Sequence, residues 1–451
     1  MAHGLIQISV SMESYLIRQL EALISASISS NQEPTDKARN ETRAEAWAKF
    51  KRSGLPDKKN EAYKYTDIRK LFAGRCEIAI DNPNETFTVP ENLPEIDAVR
   101  IYTVNGLIKN IEGLIEEGKI IYGSIRAVAN EMPSFFAEHY NKVASGYDDA
   151  LLLLNTAAIG GGIFIYVPEG VKAEKPFLIV NTVTSECNAY VAQRNLSIFG
   201  KNAGATLIVL NKFVSKFDMI CNTVNEIIIE NNAEVDIIRL QNAGKNISVI
   251  SNDCIVQRSD SKLSRTDLAL RGNIIRNNVN ISLDGKRCVV GLNGLVVGAG
   301  NSRIDNHVDI NHIMPESESN QLYKSILSGK SVSVFDGAIK VNKDAQKTTA
   351  LQNNKNIIVG REAKAYSKPR LEIYADDVKC SHGATMGQLD DNALFYMRSR
   401  GIGMRKAQSL LTAGFAIETL KDVKIPELRD YLTDEIEQTL SQDEQNEINA
   451  Y

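Results

Sequence analysis

The stretch Ser197-Ile198-Phe199-Gly200-Lys201-Asn202-Ala203-Gly204-Ala205-Thr206-Leu207 returns, altered in detail, as Glu226-Ile227-Ile228-Ile229-Glu230-Asn231-Asn232-Ala233-Glu234-Val235-Asp236-Ile237. Ile357-Ile358-Val359-Gly360-Arg361-Glu362-Ala363-Lys364-Ala365 repeats the idea. Each copy is a β-branched run, a tight polar turn, an alanine and a second run. From Leu151 to about Asp390 short runs dense in Ile, Val, Leu and Thr alternate with Asn, Gly, Asp and Lys, with no convincing amphipathic helix. A sandwich, a barrel or a stacked solenoid could use such strands. Few spacers are the two-residue NG or DG turns of simple hairpins. Asn-rich stretches such as Asn353-Asn354-Lys355-Asn356 suit corners that stack in register, so the pattern predicts a parallel β-helix.

A solenoid leaves an unpaired edge at each end, which flanking segments must cover. Leu16, Leu20, Leu23, Ile24 and Ile28 share one helical face, and Asn31 to Pro34 breaks it. A second helix is predicted over Thr42 to Ser53 with the single Trp47, stopping at Gly54 and Pro56. Short β-branched runs follow between Ala98 and Tyr122, then a helical segment around Ala127 to Val143. Ala150 to Pro168 is uncharged but broken by Asn155, Thr156 and Gly160 to Gly162, and reads as two buried strands around a glycine turn. After Asp391 the helical period returns: one helix from Ala393 to near Gly401, then a stripe of Ala407, Leu410, Leu411 and Phe415. The last 31 residues carry three Lys and Arg against nine Asp and Glu, with Leu428, Tyr431, Leu432 and Ile436 on one face, to be docked at home or offered to a partner. The resulting division is a mixed helical module over 1–150, the β-helix over 151–391 and a helical segment over 392–451.

The 451 residues have a formal net charge of −4, 43% hydrophobic and 24% charged residues. That balance lacks the basic surplus of a general nucleic-acid binder. No run supplies the roughly 20 apolar residues of a membrane span. Glu13, Arg18 and Glu21 interrupt any signal-peptide core, which predicts a cytoplasmic protein with reduced thiols. Of the six cysteines, Cys187, Cys221, Cys254 and Cys288 recur at intervals of 34, 33 and 34. The plain reading is chance plus burial; the other is a ladder through successive layers.

Leu327-Ser328-Gly329-Lys330-Ser331 ends like a P-loop, but Lys324 stands where the first glycine belongs. Gly401-Ile402-Gly403 has Lys406 in place of the third glycine and follows a helix. No hydrolase signature is present, and His3 and His139 look incidental. Asp305, His307 and Asp309 would share one strand face, as an acid/base cluster or, more simply, a hydrogen-bonded structural network. His312 would face the other way, so a His307–His312 metal pair needs a turn between them. Cys380 and His382 alternate with Lys379 and Ser381, placing thiol and imidazole together. Both suit zinc or iron–sulfur ligation, although two ligands do not complete a site, and a buried Cys beside a surface His is the simpler alternative.

Five stretches, Ser331–Val341, Asp344–Thr348, Lys368–Ile373, Asp376–Thr385 and Leu394–Ile402, together with Gly54-Leu55-Pro56, Glu61 and Tyr63-Lys64-Tyr65-Thr66, closely resemble the SufB/SufD family of iron–sulfur cluster assembly proteins, in the family's order. The likeness runs from about residue 40 to 420. It implies a right-handed parallel β-helix between helical regions, in a scaffold complex with SufB and the ATPase SufC. The segment Leu394 to Ile417 would dock the ATPase, with Leu394, Phe395, Tyr396, Arg398, Arg400, Gly401 and Ile402 as contacts, and the β-helix would meet SufB. His382 matches a family histidine implicated in building the nascent cluster, with Cys380 two positions before it. A SufB-like chain would carry cysteine at Asn354 and glutamate at Gly383, so the resemblance is to the SufD branch. It implies a non-enzymatic scaffold with no cofactor of its own and a transient iron–sulfur cluster in the complex, and leaves open a reduced flavin there; a solenoid without its partner is expected to pair with itself, as a homodimer when isolated. Two competing readings are a polysaccharide-acting β-helix enzyme using Asp305, His307 and Asp309, and a stand-alone metal-binding homodimer.

Overall fold

The computed structural model describes residues 14–29, 34–74, 76–79, 87–113, 120–158 and 160–448. His3, residues 31–33 of the predicted break and the side chains of Leu23, Ile24 and Ile28 lie outside the described set. In chain order the strands are β1 (Glu77–Ile78), β2 (Val99–Val104), β3 (Leu107–Glu112), β4 (Ile121–Ser124), β5 (Ile163–Val167), β6 (Phe177–Thr184), β7 (Ala189–Phe199), β8 (Gly204–Val214), β9 (Met219–Ile229), β10 (Glu234–Asn242), β11 (Ile247–Gln257), β12 (Lys262–Leu270), β13 (Ile274–Leu283), β14 (Val289–Gly298), β15 (Arg303–His312), β16 (Glu318–Leu327), β17 (Val332–Val341), β18 (Thr348–Ile358), β19 (Lys364–Ile373) and β20 (Val378–Gly387). Odd-numbered strands from β5 onward stack in one sheet and even-numbered strands from β6 in a second, every neighbour parallel. The chain thus winds as a parallel β-solenoid of about seven turns.

The quoted repeat is one corner of this coil. Asn202, Asn232, Asp260, Arg287, Glu316 and Lys347 all adopt positive φ at successive β7–β8 to β17–β18 turns. The Asn202 N–H donates to Asn231 O and the Asn232 N–H to Ser259 O, both at 2.9 Å, carrying the ladder around the bend. The next residue points inward and is small and buried: Ala203, Ala233, Ser261, Cys288, Ser317 and Thr348. Leu327–Ser331 is another corner, where the Lys330 N–H donates to Gly300 O at 2.8 Å; its amides serve the coil.

The Asn353–Asn356 stretch is not a corner. It lies inside β18, with Asn354 and Asn356 buried and joined by a 2.7 Å hydrogen bond. Asparagine is tolerated there because stacked coils let side-chain amides satisfy each other. Nor do the cysteines form a ladder. Register partners are 26 to 32 residues apart, from Ser248 opposite Ile274 to Val332 opposite Lys364, so a spacing of 33 or 34 slips out of step. Cys221 stands beside Val249, and Cys254 beside Glu226.

Helices α1 (Ser14–Ser29), α2 (Pro34–Ser53), α3 (Ile68–Leu71), α4 (Ile125–Glu131), α5 (Pro133–His139) and α6 (Ala150–Ala158) precede the main coils. Helix α6 corrects the expected strand over the first half of Ala150–Pro168. Ala and Leu favour helix over strand, and Asp149 starts it by accepting from the Leu151 and Leu152 N–H groups at 2.9 and 3.1 Å. Its leucines are buried because α6 is wedged between Trp47 and Phe50 of α2 and Tyr190 and Ile220 of the odd sheet. The buried pair Arg194–Glu226 (2.8 Å) ties this module down, Glu226 also accepting from the Asn141, Val143 and Ala144 N–H groups. Residues before 150 contribute strands as well: β2 pairs with β6 and β4 with β5.

Helices α7 (Asp391–Ser399), α8 (Met404–Ile417) and α9 (Pro426–Ile448) follow β20. The acidic terminal helix is docked at home: Leu428, Leu432, Ile436 and Leu440 pack on Leu210, Ile238, Leu240 and Leu268 of the even sheet. Each such buried side chain is worth about 1.5–3 kcal/mol. Among the described residues no helix is long and apolar enough to cross a membrane.

Candidate functional site

The coil does not close where it ends. β19 and β20 are the last strands of their sheets, each with one neighbour. Apolar side chains lie bare around this end: Tyr374 is 61% exposed, Met386 51%, with Tyr366, Ile373, Leu351 and Val359 also open. Free ladder edges of this length are normally avoided or covered.

Cys380 and His382 sit on β20 and, two residues apart, share a face about 7 Å apart along the strand. The register gives that face: Cys380 lies beside Ala350 and His382 beside Gln352, both buried inside the solenoid. The pair therefore occupies the last rung of the interior, uncovered because no coil follows. Cys380 is half-buried against the cluster of Ile339, Val341 and Ala350, while His382 is exposed. Burial pushes the Cys380 thiol up, a backbone contact from Ala350 opposing it in part. Among the described residues no three His, Cys, Asp or Glu side chains cluster to hold a metal ion.

Cys187 is exposed, whereas three of the other cysteines are less suited to sulfur chemistry. Burial pushes Cys221 up to about 12 and raises Cys254 and Cys288. A protonated, enclosed thiol is neither nucleophile nor ligand.

Asp305, His307 and Asp309 do share one outer face of β15, but the N-terminal module covers its Asp305 end. Asp305 is buried and accepts from Thr66 Oγ1, and its carboxyl is pushed up to about 6 by burial, Arg276 and Arg303 opposing. Arg276 donates to His307 Nε2 at 2.8 Å and stacks 4.0 Å from the Tyr63 ring. Burial, then Arg276, holds His307 well below its usual range. The Tyr63–Thr66 motif thus covers Asp305 and leaves Asp309 exposed. His312 points the other way in the unbroken strand, toward Ser319 Oγ at 3.0 Å, and burial lowers it to about 4.

The segment after β20 makes a second surface. Asp390 caps α7 by accepting from the Asn392 N–H at 2.8 Å. Gly401 ends it at φ +84, with its N–H on Arg398 O and the Ile402 N–H on Met397 O, a glycine-dependent helix stop. Leu394 is buried and anchors the helix, and Ile402 is half-buried. Phe395 (74%), Tyr396 (59%), Arg398, Arg400 and Gly401 are exposed. Arg400 donates to Tyr396 Oη at 3.0 Å, and Met404, Arg405, Lys406 and Leu410 extend an aromatic and cationic patch. α8 is pinned to the coil by Lys324, which donates to Phe415 O at 2.8 Å and pairs with Glu418. Sequence reasoning missed Lys324 as an anchor and the bare apolar residues of the open end; a lysine between Leu322-Tyr323 and Ile326-Leu327 was the available signal.

The chain is thus a β-solenoid protein with an open terminal edge carrying Cys380 and His382 and a separate helical patch. Residues 16–179 match the SufBD protein N-terminal region, and residues 181–415 match the SufBD core domain of SUF-system FeS cluster assembly. Iron–sulfur cluster assembly protein SufD of Escherichia coli (strain K12) is 29% identical over 86% of this chain and 90% of its own. SufD of Bacillus subtilis (strain 168) is 26% identical over 72% and 74%, and the chloroplastic protein ABCI7 of Arabidopsis thaliana 27% over 83% and 80%. The chain belongs to the SufBD family of iron–sulfur cluster assembly proteins.

Proposed function

We propose that this chain is the SufD-type scaffold subunit of a cytoplasmic SUF complex, a non-enzyme that pairs with a SufB-like paralogue and binds the SufC ATPase. The observation that carries the reading is Cys380 and His382 together on the unpaired terminal strand β20. The paralogue would extend both sheets from β19 and β20, bury Tyr374 and Met386, and supply the missing ligands to a nascent cluster held as cargo. The ATPase would take the patch of Phe395, Tyr396, Arg398 and Arg400, and its motion would reach the coil through α8 and Lys324. In the paralogue's absence the same edge would accept a second copy of this chain.

Co-expression with SufB and SufC tests this. Iron and acid-labile sulfide in the purified complex should fall severalfold in His382→Ala and less in Cys380→Ser. Unchanged content in His382→Ala overturns the ligand role, and failure to co-purify overturns the complex.

A further inference from the structure

Beneath His382 a column of glutamines runs up the inside of the even sheet. Gln321 on β16, Gln352 on β18 and His382 on β20 are register neighbours. Gln352 Nε2 donates to Gln321 Oε1 at 3.2 Å. The column is polarised: at its lower end Gln321 Nε2 is a buried donor without a partner, and at its upper end Gln352 Oε1 is a buried acceptor without one. Buried polar atoms in that state are uncommon, and this acceptor lies one strand below an exposed imidazole. Register neighbours on adjacent strands are about 4.8 Å apart, within reach of a ring N–H. The amide is also held from the side: a Cβ on Gly337 would come 2.3 Å from Gln352 Nε2. That gives the glycine of Phe335-Asp336-Gly337 a packing reason.

We infer that Gln352 is the positioning residue for His382. Its free Oε1 accepts the N–H of one ring nitrogen, which selects the tautomer and turns the other nitrogen's lone pair outward at the sheet edge. Ligating histidines are commonly oriented by such a bond from their second nitrogen. The inference rests on His382 acting as a ligand, and its test separates the two. Ring-nitrogen NMR of the full chain with labelled histidine, at a pH where the ring is neutral, reads the tautomer directly, with His382→Ala identifying the signal. Wild type and Gln352→Glu should show one dominant tautomer, and Gln352→Met a mixture. If Gln352→Met does not fold, Gly337→Ala should produce the same mixture by displacing the amide. In the co-expressed complex Gln352→Met should lower cluster content severalfold and Gln352→Glu restore it. An unchanged tautomer ratio in Gln352→Met overturns the inference whatever the complex does. Unchanged cluster content in His382→Ala overturns the ligand role and leaves the tautomer result to judge the positioning.

Discussion

The two ends of the solenoid are finished differently. At the first, the sheets stop on antiparallel strands: β3 against β2, and β4 against β5. Helices α4 and α5 then cover β5, and Phe164 is wholly enclosed among Ile125, Val128, Phe136 and Leu196. At the last, β19 and β20 run on in parallel and stop, and Tyr374 and Met386 face outward. The same chain that closes one end with an antiparallel turn leaves the other with its ladder unpaired and its interior on view. An edge left so after such care at its opposite is where the proposed partner would sit, and it carries Cys380 and His382.

Removing one aromatic from each end sharpens the contrast most. Phe164→Ala should cost about 3–5 kcal/mol, the usual penalty for emptying a packed aromatic site. Tyr374→Ala should cost less than about 0.5 kcal/mol in the chain diluted to the monomer, as exposed positions do. Urea unfolding of both variants checks this, and a Tyr374→Ala loss comparable to that of Phe164→Ala would mean the end is already covered.

The next effect lies where the finished side reaches toward the open one. Tyr63–Thr66 lies over β13 and β15 and stacks Tyr65 on Tyr366 of β19 at 4.5 Å. Asp305 beneath it is pushed up to about 6 from an ordinary value near 4, so the native state holds this proton more tightly than the unfolded chain. Its stabilising contribution is present below about pH 4 and lost as pH rises through about 6. Tighter proton binding of that size corresponds to about 3 kcal/mol. Between pH 4 and 7 the stability of Asp305→Asn should therefore gain on wild type by up to about 3 kcal/mol in denaturant titrations. A difference that stays flat across this window would show that the carboxyl is not perturbed.

At the open end itself, charge should matter to the partner and not to the fold. Tyr374→Lys with Met386→Lys should weaken association with the SufB-like paralogue at least about tenfold, or about 1.4 kcal/mol, with the melting of the monomer unchanged. Equal affinity in the double variant would place the partner elsewhere.

How much of this was legible follows from what each pattern encodes. The corner repeat around Asn202 and Asn232 could be read because a left-handed turn followed by a small inward residue recurs coil after coil. Leu151–Leu154 could not be assigned by periodicity, since a helix buried on all sides and a buried strand both look uniformly apolar. Asn353–Asn356 misled because single-residue preference puts asparagine in turns, whereas a stacked coil lets amides pair across strands. Cys380 and His382 were visible as an alternating pair, but their position on the final rung depends on where the coil stops. Gln352 and His382 are register neighbours 30 residues apart, which no local pattern records.

Cys288 gives the smallest and most discriminating test of the interior. It stands in the corner column held elsewhere by Ala203, Ala233, Ser261 and Ser317, so the slot asks only for a small side chain. Its Sγ lies 3.2 Å from both Gly285 O and Arg258 O, positions where a serine hydroxyl could donate equally well. Cys288→Ser should therefore shift stability by less than about 1 kcal/mol, in line with exchanging one satisfied donor for another. Cluster content in the complex should not change, because a buried protonated thiol whose column neighbours are Ser261 and Ser317 has no second thiol to pass sulfur to. A severalfold loss of cluster in Cys288→Ser at unchanged stability would contradict the packing role and make the corner thiol chemical.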